Sequence, residues 1–265
     1  MLSDRERKRY SRQMILEEMG EAGQEKLKAA RVLMVGAGGL GSPATYYLAA
    51  AGVGTIGIVD KDVVELSNLQ RQILHAMDRL GTPKATSARM TLEALNPEIK
   101  INEYVRELLP DNIREFIRDY DLIINGVDNF ATRFLLNDAC YLEKKPLIEA
   151  GVLRFDGLVM TILPDQGPCY RCVFAHQPKE GTVPSTADVG LMATIPGIAG
   201  TIQATEAIKV ILGIGKPLSG RLLAFNALEG HYDVIEWPRD PDCPLCGENP
   251  TIREPGQEVP QQDAQ

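Results

Sequence analysis

Four of the five cysteines occur as two Cys-x-x-Cys pairs, which form the strongest chemical signal in the 265-residue sequence. The pairs are Cys169/Cys172 and Cys243/Cys246, and they could supply the four thiolates of a closed, tetrahedral zinc site. A metal with four protein ligands has no open position for catalysis. We therefore expect a structural zinc that ties the carboxyl-terminal segment to residues 169–172. Two redox-active dithiols are the alternative, but neither pair lies in a thioredoxin-like βαβ pattern.

A glycine-rich turn predicts a nucleotide site. The turn, Gly36-Ala-Gly38-Gly39-Leu-Gly41, follows a short apolar run and precedes a predicted helix. Glycines allow the backbone to turn tightly and approach a ligand, while N–H groups at a helix start can bind anionic oxygens. Asp60 ends the next predicted strand, about 20 residues on, where its carboxylate could accept hydrogen bonds from ribose hydroxyls. The turn alone fits NAD, FAD or ATP, or a tight turn without a ligand.

Polar residues beyond Asp60 are typical of phosphate chemistry rather than hydride transfer. The segment Lys61–Gln72 gathers charged and polar side chains into one loop. Arg71, and Lys84 at a predicted helix start, could neutralise a triphosphate. Asp128 follows another predicted strand, where a carboxylate could hold Mg²⁺ together with substrate phosphates. Taken singly, each of these residues could equally be a solvated surface charge or a helix cap.

Strands and helices alternate through the first 150 residues, which indicates βαβ units and a parallel sheet. The predicted strands are 31–35, 55–59, 99–104, 122–125 and 146–150, and the predicted helices are 40–51, 82–95, 111–118 and 131–143. Beyond Gly157 there are short β-like runs at 158–163 and 221–225, a polar loop at 177–188 and a helix at 198–212. The sequence thus predicts an α/β fold, with a Rossmann-like nucleotide-binding sheet, flanking helices and a β-rich carboxyl-terminal portion.

The overall charge and hydropathy exclude several classes of protein. A net charge of −8 argues against a general affinity for nucleic acid or anionic membranes. No apolar stretch approaches the roughly 20 residues of a membrane-spanning helix, and the polar amino terminus does not resemble a secretory signal. We therefore expect a cytoplasmic protein. Residues 249–265 are rich in Pro, Gln, Gly and Glu and are predicted to be a disordered tail, which leaves 1–248 as one predicted domain.

In combination, these motifs resemble those of the MoeB/ThiF/HesA adenylyltransferases, which are relatives of the ubiquitin-activating enzymes. The resemblance covers roughly residues 5–248 and is greatest for the MoeB branch, which acts in molybdenum cofactor biosynthesis. It rests on the following motifs: Arg9-Tyr-Ser-Arg12-Gln13, the GAGGLG turn, Asp60, Ser67-Asn-Leu-Gln-Arg71-Gln72, Lys84, Asp128-Asn129 and the two cysteine pairs.

The resemblance implies ATP-dependent adenylation of the C-terminal Gly-Gly carboxylate of a small ubiquitin-like sulfur-carrier protein, with release of pyrophosphate. Attack of a carboxylate on the α-phosphate needs positioning and charge neutralisation rather than a protein nucleophile. Asp128 would also place Mg²⁺, and Arg12 would reach the phosphates from the other subunit of a homodimer. Catalysis is thereby assigned to Arg12, Arg71, Lys84 and Asp128. By the same resemblance, the ATP site is lined by Gly39, Asp60, Ser67, Asn68, Leu69, Gln70, Arg71, Lys84, Asp128 and Asn129.

One position departs from part of this family. Members that transfer the activated carboxylate to their own cysteine carry it in the loop before the last long helix, where this sequence has Thr186. The resemblance therefore implies adenylation without a thioester on this chain. Cys140, among leucines of a predicted helix, is expected to be a buried small hydrophobe. An NAD-dependent oxidoreductase and a non-catalytic scaffold that binds a carrier protein are the alternative functions, and the sequence does not identify the carrier or its pathway.

Overall fold

The computed structural model describes residues 1–179, 181–184 and 186–257. At its centre is an eight-stranded sheet with the strand order β3-β2-β1-β4-β5-β6-β7-β8. The strands are β1 (Arg31–Val35), β2 (Thr55–Val59), β3 (Lys100–Tyr104), β4 (Leu122–Asn125), β5 (Leu147–Leu153), β6 (Asp156–Ile162), β7 (Arg221–Asn226) and β8 (His231–Glu236). The helices are α1 (Asp4–Arg9), α2 (Ser11–Met14), α3 (Gly20–Ala29), α4 (Gly41–Ala51), α5 (Lys84–Leu95), α6 (Ile113–Arg118), α7 (Phe130–Leu142), α8 (Tyr170–Val173), α9 (Thr186–Val189) and α10 (Thr194–Leu212).

The first five strands are parallel and form the nucleotide-binding half of the sheet. Val32, Leu33 and Met34 in β1 are fully buried, because helices cover both faces of the sheet. Helices α4, α5 and α10 pack on one face, and α6 and α7 pack on the other. The predicted Rossmann-like arrangement is therefore confirmed.

Beyond β5 the sheet is antiparallel. Strand β6 pairs with β5, β7 pairs with β6, and β8 pairs with β7. Helix α10 packs across β5 and β6, and thus joins this portion to the parallel half. The predicted β-rich carboxyl-terminal portion is confirmed. Strand β8 was not predicted, because all six of its residues are exposed and leave no alternation of buried and exposed positions to detect.

The segment that follows the second cysteine pair packs against the body of the protein. Ile252 is buried, although we expected it to belong to the disordered tail. Glu254 pairs with Arg114 on α6 at 2.6 Å. Residues 249–257 thus belong to the packed structure, and 258–265 lie outside the described residues. Across the part of the chain that the structure describes, no helix combines the length and the apolar character needed to cross a membrane.

Candidate functional site

The carboxyl ends of the parallel strands border a cleft of about 2700 Å³. Such ends meet at one edge of a sheet, which brings together residues that are distant in sequence. The predicted site residues that line the cleft are Gly36, Gly38, Gly39, Asp60, Arg71, Lys84, Asp128 and Asn129. Thr186 lines it as well, from α9. The predicted residues that do not line it are Arg12, Gly41, Ser67, Asn68, Leu69 and Gln70.

The glycine turn is shaped by two close backbone approaches. Gly36 has a φ of +93°, and a Cβ there would lie 2.9 Å from the carbonyl group of Gly126. A Cβ on Gly41 would lie 1.9 Å from the carbonyl oxygen of Gly36. The absence of a side chain at Gly41 therefore allows the turn to close. Helix α4 begins at Gly41, so its free N–H groups lie just behind the turn, where they favour an anion.

Asp60 fixes the conformation of the turn. Its Oδ2 accepts the N–H of Ala37 at 2.8 Å, and its Oδ1 accepts the N–H of Asp62 at 2.8 Å. Burial raises the pKa of Asp60, and these two hydrogen bonds and the nearby Lys84 oppose that rise. An ionised carboxylate offers about four lone-pair positions, so acceptor capacity remains for ribose hydroxyls.

The segment from β2 to the first turn of α5 brings Arg71 and Lys84 to the cleft. Lys84 is buried at the first turn of α5, and its Nζ lies 3.0 Å from Oδ2 of Asp62. Arg71 donates from Nη1 to the carbonyl of Ser67 at 3.1 Å. Asn68 is buried, and its Oδ1 accepts the N–H of Glu65 at 3.1 Å. In this structure Ser67 and Asn68 thus shape the loop that carries Arg71.

Asp128 lies at the end of β4, next to the start of α7. Asn129 is the N-cap of α7, since its Oδ1 accepts the N–H of Thr132 at 2.9 Å. Asp128 is exposed to the cleft, and no hydrogen bond to its carboxylate occurs within the described residues. Its oxygens are therefore available to a metal ion or a ligand.

A buried ion pair supports the Asp128 loop from behind, and sequence reasoning missed it. Nη1 of Arg133 lies 2.7 Å from Oε1 of Glu149, and Nη2 donates to the carbonyl of Val127 at 3.0 Å. Burial raises the pKa of Glu149, whereas Arg133 and a hydrogen bond from Asn125 lower it. The signal was available, because Glu149 interrupts an otherwise apolar strand.

The four paired cysteines meet beside α7. Their Sγ atoms all lie within 4.8 Å of one another, with Cys169 to Cys243 at 3.6 Å and Cys172 to Cys246 at 3.2 Å. Four thiolates at the usual zinc–sulfur distance are about 3.8 Å apart, so the cluster could hold such a metal. The backbone N–H of Asp240 points at Cys172 Sγ from 3.4 Å, a contact that favours a thiolate.

Cys140 and Arg12 both lie away from the nucleotide cleft. Cys140 is fully buried in α7, as predicted, and burial raises its thiol pKa. Arg12 is exposed on α2, where its neighbour Gln13 donates to the carbonyl of Ala51 at 2.8 Å. That carbonyl is at the far end of α4 from the glycine turn. The 11 residues of α4 separate the two ends by about 16 Å.

Comparisons with known proteins agree with this fold. The ThiF family model matches residues 10–245. A "Sulfur carrier protein adenylyltransferase" of Thermus thermophilus is 48% identical over 251 residues, which cover 93% of each chain. A "SAMP-activating enzyme E1" of Haloferax volcanii is 47% identical and is matched over 88% of its length by 91% of this chain. A crystal structure of E. coli MccB with ATP has a TM-score of 0.78 at 25% identity and is matched over 74% of its chain by 90% of this one.

We expect the loss of one partner of the Arg133–Glu149 pair to destabilise the fold more than the loss of both charges. Arg133→Met should lower the free energy of unfolding by about 3–5 kcal/mol, because it leaves a buried, unpaired carboxylate. Adding Glu149→Gln should recover part of that loss, since the amide oxygen can still accept from Asn125. Urea unfolding measures both changes.

The matched control is Arg114→Met, which removes a half-exposed arginine from its surface pairs and should cost about 0–1 kcal/mol. Equal losses in Arg133→Met and in the double variant would contradict the interpretation of a buried charge pair.

Proposed function

The chain belongs to the ThiF family, and we propose on this basis that it adenylates the C-terminal carboxylate of a small ubiquitin-like sulfur-carrier protein ending in Gly-Gly. Residues 1–248 would act as one adenylyltransferase domain. The observation that carries the proposal is the convergence of Arg71, Lys84 and Asp128 on one cleft beside the glycine turn. The names of the relatives favour this activity over the oxidoreductase alternative.

The proposed reaction joins the carrier's carboxylate to the α-phosphorus of ATP, while the bond to the β-phosphate oxygen breaks and pyrophosphate leaves. Negative charge on the phosphates opposes this attack, and Arg71, Lys84 and the N–H groups of the glycine turn would neutralise it. Asp60 would accept hydrogen bonds from the ribose. By the family resemblance, Thr186 stands where thioester-forming members carry their cysteine, so the acyl-adenylate would be the product that leaves this chain.

Mg²⁺ is the cofactor that the exposed carboxylate of Asp128 would hold, because Mg²⁺ binds through one or two carboxylates together with substrate phosphates. When bound, it would supply positive charge to the phosphate oxygens. Asn129 would support this arrangement by capping α7, and Arg133 by holding the carbonyl of Val127.

We expect Asp128→Ala to abolish carrier-dependent exchange of pyrophosphate into ATP, with a loss of at least about 100-fold, because it removes the metal-placing carboxylate. The fold should remain intact, since the side chain is exposed. Exchange assays and a circular-dichroism melt measure the two effects. Asp111→Ala, which removes an exposed carboxylate outside the cleft, is the control. Near-wild-type exchange in Asp128→Ala would refute the role of Asp128.

We also propose that the four cysteines hold one structural Zn²⁺ per chain. Elemental analysis should find this metal, and Cys169→Ser should lose it and lower the melting temperature, since metal binding contributes to the free energy of folding. Cys140→Ala should keep the metal, because Cys140 lies outside the cluster. A metal-free wild-type protein with the same melting temperature as Cys169→Ser would rule out the site.

The position of Arg12 supports a homodimer with active sites completed across the interface. Its own glycine turn lies beyond the length of α4, so Arg12 would act on the site of a second subunit. Ile15 and Leu16, directly after α2, are 74% and 57% exposed in the single chain. These two apolar side chains would be available for burial at such an interface.

Mixing Arg12→Ala with Asp128→Ala subunits tests this arrangement. Each homodimer should be inactive, but a mixed dimer would contain one site with both residues intact, and thus up to about half of the wild-type activity. Exchange of subunits without recovered activity would show that Arg12 does not act across an interface. Light scattering that finds monomers alone would refute the dimer.

A further inference from the structure

A buried histidine lies directly behind the glycine turn. His75 is 8% exposed, with its Nε2 2.9 Å from the carbonyl oxygen of Ala37 and its Nδ1 3.0 Å from Oγ of Ser87. A carbonyl oxygen can only accept a hydrogen bond, so Nε2 must carry the proton. In the neutral ring, Nδ1 then accepts from the hydroxyl of Ser87. The two partners therefore select one tautomer of His75.

The ring is neutral at physiological pH. Burial lowers the pKa of His75 to about 4; the hydrogen bond to Ala37 raises it, and the positive charges of Lys84 and Arg79 lower it further. His75 thus acts as a fixed donor toward the turn, and it adds no charge to a cleft that is already lined by Arg71 and Lys84.

Ala37 is held at both of its backbone polar groups. Its N–H donates to Asp60, and its carbonyl accepts from His75. The carbonyl of Ala37 and the N–H of Gly38 belong to one planar trans peptide, so they point in opposite directions. The hydrogen bond from His75 orients the Ala37 carbonyl toward the protein interior behind the turn. The N–H of Gly38 therefore points away from the interior. Gly38 lines the cleft, and within the described residues its N–H has no protein acceptor.

We propose that His75 is a positioning residue that aims the Gly38 N–H at an anionic oxygen of the bound nucleotide. Through Ser87 it also ties the turn to α5, the helix that begins at Lys84. The glycine turn and the phosphate-neutralising lysine are thereby kept in one fixed relation. This inference rests on the proposed function, since it requires a phosphate-bearing substrate in the cleft.

Three substitutions at His75 separate this role from simple packing. His75→Leu removes the donor, and His75→Asn is too short to place its amide nitrogen at the Nε2 position. Both should raise the KM for ATP about ten-fold, because a buried carbonyl loses its partner and the turn relaxes, while kcat changes less. His75→Gln can place its amide nitrogen near the Nε2 position, so it should restore most of the wild-type KM.

Leu92→Ala, in the buried side of α5, is the control for stability, since it creates a cavity without touching the turn. It should lower the melting temperature and leave the KM for ATP unchanged. If His75→Leu and His75→Asn retain the wild-type KM, or if His75→Gln is no better than His75→Leu, the positioning role is refuted.

The unmodified protein gives a second, independent readout. Long-range ¹H–¹⁵N spectra should show His75 protonated at Nε2 and unchanged between about pH 5 and 8, unlike an ordinary histidine. A proton on Nδ1, or a titration near the ordinary pKa of about 6.5, would overturn the inference. Calorimetry with ATP distinguishes the two proposals. Failure of the wild type to bind ATP would overturn the proposed function and this role together, whereas normal binding by both the wild type and His75→Leu would overturn this role alone.

Discussion

The contact between two backbones at Gly36 and Gly126 is the constraint on which the site depends. A Cβ on either residue would lie within 2.9 Å of the other residue's backbone. Strands β1 and β4 are neighbours in the sheet, but the chain leaves β1 toward β2 on one side and reaches β4 only after β3. A crevice opens at such a reversal of strand order. Because neither glycine has a Cβ, the two backbones can approach each other this closely. The glycine turn and the Asp128 loop therefore face the same crevice.

Buried ion pairs then fix the elements around this crevice. Arg171 forms two hydrogen bonds of 2.7 and 2.8 Å to the carboxylate of Asp138 on α7, and it stands between the first two cysteines of the cluster. Arg133, also on α7, pairs with Glu149 on β5. Such pairs add little stability compared with apolar packing, but they fix geometry well because their hydrogen bonds are directional. Helix α7 is therefore held at two points, by β5 in its first turn and by the cysteine turn in its second half.

The sequence alone was sufficient to predict the features that depend on the local pattern of residues. The apolar runs of β1, β2 and β4 and the glycine turn were predicted, with strand ends that match the structure, because burial on both faces and a tight turn each restrict residue type locally. The roles of Gly41 and Asn68, the packing of Ile252 and the location of His75 behind the turn could not be predicted. The last two depend on contacts between residues that are far apart in the sequence, and the first two depend on local turn geometry. Hydrophobic periodicity carries no information on either kind of contact.

The spacing of the cysteine pairs has a consequence for biogenesis. Cys169 and Cys243 are separated by 74 positions, which include α10, β7 and β8. A chain emerging from the ribosome completes β1 to β5 and α7 well before the second pair is made. The nucleotide-binding half can thus begin to fold before the second cysteine pair, Cys243 and Cys246, has been synthesised. Joining the pairs is a late event that closes a long loop, and the entropic cost of that closure grows only slowly with loop length. Insertions between the pairs should therefore be tolerated better than changes in spacing within either pair.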